Sequence, residues 1–421
     1  MNSLLSILLE EFQDKIHHLT TGVKRNIILP TIANKIIVAI GMRRTGKTHF
    51  LLQKIKSLLD EKISLSRILY LNFEDDRLYP MEQQKLSTLL EGFYTLYPEN
   101  HEQRCYFFLD EIQNVIDWQR VIRRYLDTKN VALYLTGSSA KLLSKEIAST
   151  LRGRSLAIEI WPFSFSENLT AKGIQLPEKP IGKRTLDTLQ KQLREYLHHG
   201  GFPELINLPD IERVRILQDY VDVVIFRDII ERHNITNITL IKYMIKSLLR
   251  QVGGSFTVNK FVNDLKSQGF KVGKSTVYDY LNYIEDTYLA FAMPLYSESV
   301  RKTQTNPRKI YAIDPGLVNA YTFSFSKNLG HLFENLVFLD LKRLGYEVYY
   351  YLTESTPERY EVDFLTRDLK GQWRLYQVVW DNHDTATMER ETRALEAAEK
   401  ELGIKGKMIT PLSYINDSWF I

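Results

Sequence analysis

The sequence predicts an α/β protein of several domains, in which the first domain contains short buried β-strands. Three short apolar runs, at residues 35–40, 106–109 and 131–135, have the length and composition of buried strands. A helical pattern at residues 49–55 follows the first run, which is typical of strand–helix units in parallel sheets. With 421 residues the chain is too long for one ordinary core, because domains usually hold roughly 100–200 residues.

The composition is 44% hydrophobic and 25% charged, which is ordinary for a globular protein and excludes disordered, collagen-like and low-complexity classes. No apolar run approaches the roughly 20 residues of a membrane span, and residues 1–9 are expected to form an amphipathic helix rather than a signal peptide. The single cysteine, Cys105, excludes an internal disulfide and a multi-cysteine zinc site. We therefore expect a cytoplasmic protein with no membrane partner.

The overall charge says little about partners. The chain has 55 Lys and Arg against 51 Asp and Glu, which gives a formal net charge of +4. A balance this small indicates neither a nucleic-acid-binding nor an acidic-ligand-binding protein by itself. Nucleic-acid binding must therefore be argued from local clusters of charge.

Residues 41–48 match the phosphate-loop pattern G-x-x-x-x-G-K-[ST] between a strand and a helix. Glycines let backbone N–H groups curl around phosphate oxygens, and the N-terminus of the helix adds partial positive charge. Lys47 supplies a charge for the β- and γ-phosphates, and the Thr48 hydroxyl is a ligand for Mg²⁺. We predict ATP and Mg²⁺ as cofactors. The residues expected to contact the nucleotide are Gly41, Arg43, Arg44, Thr45, Gly46, Lys47, Thr48 and His49. Of these, His49 is expected to pack beside the loop rather than take part in catalysis.

Two adjacent carboxylates, Asp110 and Glu111, follow the apolar run at residues 106–109. We expect Asp110 to hold Mg²⁺, and Glu111 to orient and deprotonate the water that attacks the γ-phosphate. Carboxylates at the end of a strand also cap helices, so this assignment depends on the phosphate loop upstream. The combination predicts hydrolysis rather than nucleotide binding alone.

Small hydroxyl residues follow the apolar run at residues 131–135, in the order Thr136-Gly137-Ser138-Ser139. Such hydroxyls at the end of a buried strand can hold the attacking water or sense the γ-phosphate by hydrogen bonds. We assign this role to Ser138. An ordinary polar turn is the alternative interpretation of the same residues.

These motifs occur in a particular order, and further segments follow them at residues 151–154, 161–165, 200–203, 314–317 and 333–335. The order resembles that of the bacterial and archaeal AAA-type (AAA+) P-loop ATPases that carry a C-terminal domain of unknown function. The resemblance spans nearly the whole chain. It implies a sheet in which the strand before Thr136 lies between the two motif-bearing strands, so that Ser138 would be beside Lys47 and Glu111.

Arg152 and Arg154 lie in a polar loop before a further predicted strand at residues 155–160. In ring-forming relatives, an arginine from a neighbouring subunit completes the site, which implies a homo-oligomer here. Such an arginine can accelerate hydrolysis by about 10³–10⁵-fold. We treat both residues as candidate catalytic arginines, and surface salt bridges or substrate contacts remain the alternative.

We predict an ATPase core at residues 1–170. Three further parts follow it, a helical lid at 171–238, a winged-helix-like module at 239–315 and a C-terminal domain at 316–421. The lid is interrupted at residues 200–203, and Arg227 within it is expected to form a surface salt bridge. In the module, helices at 240–252, 258–267 and 275–286 precede two strands at 288–296 and 309–313, which is how many DNA-binding domains present a recognition helix and a wing.

The winged-helix-like module is more basic than the chain as a whole. Residues 240–314 contain eleven Lys and Arg and six Asp and Glu, a balance of +5. Three of the acidic residues lie on the third helix, where they would oppose DNA. The cations expected to face DNA phosphates are Lys271, Lys274, Arg301, Lys302, Arg308 and Lys309.

The C-terminal domain resembles restriction-type nucleases with part of their active site altered. Glu334 lies in a predicted helix and Asp363 at a predicted strand, as the nuclease pattern requires. On the next strand, Gln377 stands where the pattern has an acid, and Val379 stands where it has a lysine. We therefore expect an inactive α/β restriction-endonuclease-like domain that serves for binding or assembly.

Our leading hypothesis is an ATP-hydrolysing protein that uses turnover to drive a conformational change while acting on DNA. The main alternative is a signalling or scaffold ATPase whose C-terminal domains bind protein. A P-loop kinase is a weaker third hypothesis, because the Asp110–Glu111 pair suits water activation.

Overall fold

The computed structural model describes residues 2–20, 22–27, 35–137, 153–175, 177, 181–305, 307–322, 329–354, 358–381 and 384–417. The chain forms two compact units, Met1–Trp161 and Pro162–Ile421. The finer division at residues 170, 238 and 315 stays a prediction. Across the described parts of the chain, no helix is long and apolar enough to cross a membrane.

A five-stranded parallel sheet forms the centre of the first unit, with strand order β2-β4-β6-β1-β7. Its strands are β1 (Ile36–Ile40), β2 (Ile68–Asn72), β4 (Cys105–Asp110), β6 (Val131–Gly137) and β7 (Ser155–Glu159), while β3 (Met81–Glu82) and β5 (Val115–Ile116) pair separately. Strand β6 lies between β1 and β4, as the family resemblance implies. The α/β prediction for this part of the chain is confirmed.

Four described helices accompany this sheet, α1 (Asn2–His17), α2 (Lys47–Asp60), α3 (Gln83–Leu96) and α4 (Trp118–Thr128). Their apolar residues cover the sheet, and all five residues of β1 are buried. The N-terminal helix belongs to this core, because Phe12 stacks on Tyr70 of β2 with ring centroids 5.1 Å apart. Large aromatic rings of this kind contribute much of the burial energy of a core.

The second unit begins with helices. They are α5 (Phe165–Ala171), α6 (Lys183–His199), α7 (Asp210–Val223), a π-helical segment (Val224–Ile230) and α8 (Glu231–His233). The predicted interruption at residues 200–203 separates α6 from α7. Arg227 in the π-helical segment is exposed and lies 3.5 Å from Glu231, which is the expected surface salt bridge.

Helices and a small antiparallel sheet follow, with strand order β8-β10-β9. The elements are α9 (Ile238–Arg250), β8 (Ser255–Phe256), α10 (Val258–Ser267), α11 (Lys274–Asp286), β9 (Ala290–Met293), α12 (Val300–Thr305) and β10 (Arg308–Ala312). The order agrees with the predicted three helices and two strands. The segment between the two predicted strands contains the short helix α12, and the winged-helix assignment stays a prediction.

The C-terminal part contains a separate four-stranded sheet, in the order β11-β12-β13-β14. Its elements are α13 (Pro315–Tyr321), α14 (Leu329–Arg343), β11 (Glu347–Leu352), β12 (Glu361–Arg367), β13 (Trp373–Val378), α15 (Thr385–Leu402), β14 (Gly406–Ile409) and α16 (Pro411–Asn416). Strands β11, β12 and β13 are antiparallel, and β14 runs parallel to β13. This sheet confirms the predicted α/β class of the domain.

Two glycine-containing segments of the second unit, residues 200–203 and 314–317, pack directly against each other. The buried carboxylate of Asp314 accepts hydrogen bonds from the backbone N–H groups of Gly201 (2.6 Å) and Leu317 (3.1 Å). A Cβ atom at Gly316 would overlap the backbone oxygen of His199. The close approach of two backbones therefore explains why glycine occupies this helical position.

Replacing Gly316 by alanine should lower the free energy of unfolding by about 1–3 kcal/mol, because the overlap outweighs the better helix propensity of alanine. Gly330→Ala is the matched control, since that glycine is also helical and a Cβ there meets no atom within 4 Å. The control should be neutral or stabilising by about 0.5–1 kcal/mol. Urea denaturation of both variants measures the difference, and equal stability of the two would contradict the packing argument.

Candidate nucleotide site

The phosphate loop lies between the end of β1 at Ile40 and the start of α2 at Lys47. Gly41 and Gly46 have φ angles of 148° and 96°, which side-chain-bearing residues rarely adopt. A Cβ atom at Gly41 would also overlap the backbone oxygen of Ile160. The two glycines of the motif are therefore required by the path of the backbone, and they leave its N–H groups and the helix N-terminus at the same place.

Lys47 is buried within the loop, and its ammonium group holds two loop carbonyls. Lys47 Nζ donates to the oxygens of Met42 (3.0 Å) and Gly41 (3.2 Å), and it lies 3.9 Å from Glu111 Oε1. Thr45 Oγ1 donates to Met42 O at 2.9 Å and turns inward rather than toward solvent. The loop is thus held in shape by its own side chains.

Arg25 supports the loop from behind and was missed by the sequence analysis. Its guanidinium group donates to the backbone oxygens of Thr45 (3.0 Å) and Trp161 (2.5 Å), and the residue is only 9% exposed. Arg25 comes from an irregular segment without a motif, so no local pattern identifies it. Its two hydrogen bonds connect the loop to the end of the segment that follows β7.

Asp110 is fully buried at the end of β4, and its carboxylate accepts hydrogen bonds from neutral hydroxyl groups. Tyr70 donates to Oδ2 at 2.9 Å, Thr136 donates to Oδ1, and the Thr48 hydroxyl is also hydrogen-bonded to the carboxylate. Burial raises the pKa of Asp110, and the hydrogen bond from Thr136 opposes that effect. These hydroxyl partners leave the negative charge uncompensated, which fits a divalent cation beside Thr48 and Asp110.

Glu111 has a left-handed backbone conformation, with φ at 53° and ψ at 47°. Its N–H donates to Thr136 Oγ1 at 2.8 Å, and the same hydroxyl donates to Asp110. Gln113 donates to the Glu111 carboxylate through its side-chain amide. Strained backbone of this kind persists where surrounding contacts hold it, and here it turns the Glu111 side chain toward Lys47.

The structure brings together four of the predicted site residues, Lys47, Thr48, Asp110 and Glu111, at the carboxyl edge of the sheet. Thr136 of the predicted hydroxyl cluster contacts both carboxylate residues, whereas Ser138 and Arg152 lie outside the described residues. Arg43 is paired with Glu74 at 3.2 Å, and Arg44 has a positive φ of 67°. His49 packs closely against Gly22.

Arg154 lies at the opposite edge of the sheet from the phosphate loop of the same chain. Its backbone oxygen accepts from Ile36 N at the start of β1, and its guanidinium group is paired with Asp127. The five residues of β7 separate Arg154 from the loop by about 16 Å. A contact between Arg154 and a nucleotide on its own chain is therefore ruled out by this placement.

One predicted DNA-facing cation, Lys309, is in the wrong environment for that role. It is only 4% exposed, and its ammonium group contacts Glu334 and Asp363, the two carboxylates of the nuclease-like pattern. The prediction was wrong because its position beside Arg308 in a basic stretch gave no sign that β10 turns this side chain inward. The contacts of Lys309 are therefore with acidic groups inside the second unit.

Comparison with known proteins agrees with this description. Residues 33–169 match the family model of an AAA domain, and residues 190–328 match a domain of unknown function, DUF8612. The uncharacterized protein MJ1544 of Methanocaldococcus jannaschii is 38% identical over 402 residues, covering 94% of this chain and 86% of that protein. An uncharacterized protein of Haemophilus influenzae is 30% identical over 333 residues, covering 79% of each chain.

Among solved structures, the Walker-type ATPase PABY2304 of Pyrococcus abyssi is similar with a TM-score of 0.42 and 13% identity, covering 73% of this chain and 99% of that one. The fold and the family model together define the class of the first unit, which has the AAA-type P-loop ATPase fold. The chain belongs to the family of AAA-domain proteins with a C-terminal domain of unknown function that includes MJ1544.

Thr136→Val should lower the turnover number by about 10–100-fold, because it removes the hydroxyl that positions both Asp110 and Glu111. Thr136→Ser keeps the hydroxyl and should retain most of the activity. Steady-state kinetics with ATP would show the loss mainly in kcat, while nucleotide affinity changes little. Thr287→Val, which removes a buried hydroxyl in the second unit, controls for a general loss of stability. Equal activity of Thr136→Val and the wild type would contradict this role.

Proposed function

We propose that the chain is an Mg²⁺-dependent ATPase that uses ATP turnover to drive a conformational change while it acts on DNA. The observation that carries the ATPase proposal is the meeting of Lys47, Thr48, Asp110 and Glu111 at one edge of the sheet. Two of these residues are carboxylates with different surroundings, since Asp110 is buried among hydroxyls and Glu111 faces Lys47. This difference supports two separate roles in hydrolysis.

The proposed roles follow from the contacts of each side chain. Lys47 and the backbone N–H groups of the loop bind the β- and γ-phosphates, and Thr48 with Asp110 would hold Mg²⁺, which neutralises charge that develops on the phosphate oxygens. Glu111 orients the attacking water and accepts its proton. Thr136 holds the carboxylate of Asp110 and the backbone of Glu111 in place, and we retain Ser138 as the residue that senses the γ-phosphate.

A catalytic arginine, if Arg154 supplies it, must come from a neighbouring copy of the chain. The position of Arg154 at the far edge of the sheet supports this, because the residue is about 16 Å from its own loop. We therefore propose a homo-oligomer in which Arg154 or Arg152 reaches the site of the next subunit. The pairing of Arg154 with Asp127 would be exchanged for that contact.

The DNA proposal is supported by exposed groups on α10, on α11 and in the segment that joins these helices. Lys266, Lys271 and Lys274 are exposed, and Tyr278 on α11 is 42% exposed with its ring available for stacking. Exposed cations and an exposed aromatic ring suit the phosphates and bases of nucleic acid. Acidic residues on the same helix, such as Asp279, limit the strength of this attraction.

A protein partner remains the second candidate, and one observation favours it. Two of the six cations that we expected to face DNA are engaged inside the second unit, since Lys309 is buried and Lys302 lies 3.0 Å from Glu354. This reduces the basic face to about four groups. Under this alternative, DNA would not stimulate ATP hydrolysis.

Glu111→Gln should reduce ATP hydrolysis by about 10²–10⁴-fold and leave ATP affinity within a few-fold of the wild type, because only the acceptor of the proton is lost. Asp110→Asn should also stop turnover and should weaken the dependence of nucleotide binding on Mg²⁺. Phosphate release and nucleotide titration measure the two quantities separately. Glu102→Gln, an exposed residue of the same unit, is the matched control. Wild-type turnover in Glu111→Gln would exclude the proposed role of this residue.

Lys271→Glu combined with Lys274→Glu should weaken DNA binding and reduce the slope of log affinity against log salt by about 2, because two phosphate contacts are lost. Lys400→Glu combined with Lys405→Glu makes the same change of charge on exposed residues of the C-terminal domain. Fluorescence anisotropy with duplex DNA at several salt concentrations measures both pairs. Identical slopes for the two pairs, or binding that does not depend on salt, would favour the protein partner.

A further inference from the structure

Lys309 lies at the centre of a cluster of three carboxylates in the second unit. Its side chain is 6% exposed, and Nζ is 3.1 Å from Glu334 of α14, 2.8 Å from Glu361 of β12 and 2.9 Å from Asp363 of β12. The lysine itself belongs to β10, a strand of the other sheet in this unit. The cluster therefore forms only when β10, α14 and β12 are folded together.

Further hydrogen bonds hold Glu334 and Asp363 in place. Tyr311 donates to Glu334 Oε1 at 2.7 Å, and the backbone N–H of Val378 donates to Asp363 Oδ2 at 3.0 Å. Gln377 accepts from Asp363 N and donates to Glu391 at 2.6 Å. The neutral amide at position 377 thus orients the strand of Asp363 and adds no charge to the cluster.

The charges of the cluster show that it needs a cation. Burial, with the charge of Asp363, raises the pKa of Glu334 above its ordinary value. Burial also acts to lower the pKa of Lys309, but the charges of Asp363 and Glu334 outweigh it, so that the lysine pKa lies well above its ordinary value. Without the ammonium group, two buried carboxylates and a third at the surface would face one another uncompensated, which is strongly unfavourable.

A cavity of about 740 Å³ opens onto the same carboxylates. Glu334, Glu361 and Asp363 line it together with Arg359 and Arg390. Small ions from solvent can therefore reach this cluster in the folded protein. Because the site is open to solvent, a metal ion is kept out by the ammonium group that already neutralises the carboxylates and not by a closed structure.

We propose that this cluster is a divalent-cation site in which the ammonium group of Lys309 takes the place of the ion, so that the chain holds its C-terminal domain together without metal. The distances between Nζ and the oxygens, 2.8–3.1 Å, exceed the metal–oxygen distances of Ca²⁺, about 2.3–2.6 Å, and of Mg²⁺, about 2.0–2.1 Å. Once the ammonium group is removed, the carboxylate oxygens must move inward to bind a metal ion. They move less to reach the distances of Ca²⁺ than to reach those of Mg²⁺. The vacated site therefore selects a large, hard cation over Mg²⁺.

Lys309→Met tests this proposal in the nucleotide-free full-length chain, with Ca²⁺ and Mg²⁺ chloride as probes. The wild type should show little change of its thermal midpoint with either ion. The variant should unfold at a lower temperature and regain several degrees with Ca²⁺, with at least about tenfold tighter binding of Ca²⁺ than of Mg²⁺ by calorimetry. Adding Asp363→Asn to Lys309→Met should abolish the response, because one ligand is lost.

Lys302→Met is the matched control, since it removes an exposed lysine of the same segment that is paired with Glu354 outside the cluster. It should respond to ions as the wild type does. If Lys309→Met does not fold, Lys309→Met with Glu334→Gln relieves the repulsion and should still bind Ca²⁺ through Glu361 and Asp363. The proposal is overturned if the folded variant responds no more than the wild type, or if the wild type itself binds Ca²⁺ through Asp363.

Discussion

The first unit depends on one hydroxyl group, that of Thr136 at the end of β6. It accepts a hydrogen bond from the backbone N–H of Glu111 and donates one to Asp110, so a single side chain fixes both carboxylate residues. The parallel order of β1, β4 and β6 puts the hydroxyl there, because the carboxyl ends of adjacent parallel strands meet at one edge. The left-handed backbone at Glu111 is stabilised by the same hydrogen bond.

Much of this site could be predicted from the sequence, because its residues lie in short motifs at the ends of strands. Lys47, Thr48, Asp110 and Glu111 are each found within a residue or two of a strand or helix boundary, where local pattern determines position. Arg25 could not be predicted in this way. Its guanidinium group donates to the backbone oxygens of residues that are distant in sequence. Because every residue has a backbone oxygen, no residue type in the sequence marks the acceptors.

In the second unit, the sequence predicted the order of helices and strands well and the environment of Lys309 wrongly. From the count of charged residues along the sequence, we expected Lys309 and its neighbour Arg308 to lie on the same basic surface. The alternation of a β-strand places successive side chains on opposite faces, so one residue of the pair is buried and the other is partly exposed. Which of the two faces inward depends on the pairing of β10, and that pairing is tertiary information.

The buried carboxylates of the two units differ in the charge of the groups that donate hydrogen bonds to them. Asp110 receives hydrogen bonds from neutral hydroxyls, which satisfy its lone pairs and leave its charge for a cation from solution. Asp363 receives a hydrogen bond from the ammonium group of Lys309, which neutralises charge within the chain. A neutral donor leaves the carboxylate charge uncompensated, whereas a charged donor forms a buried ion pair with it. The kind of donor, rather than the presence of the acid, therefore distinguishes a buried carboxylate that keeps its negative charge from one whose charge is neutralised by a lysine.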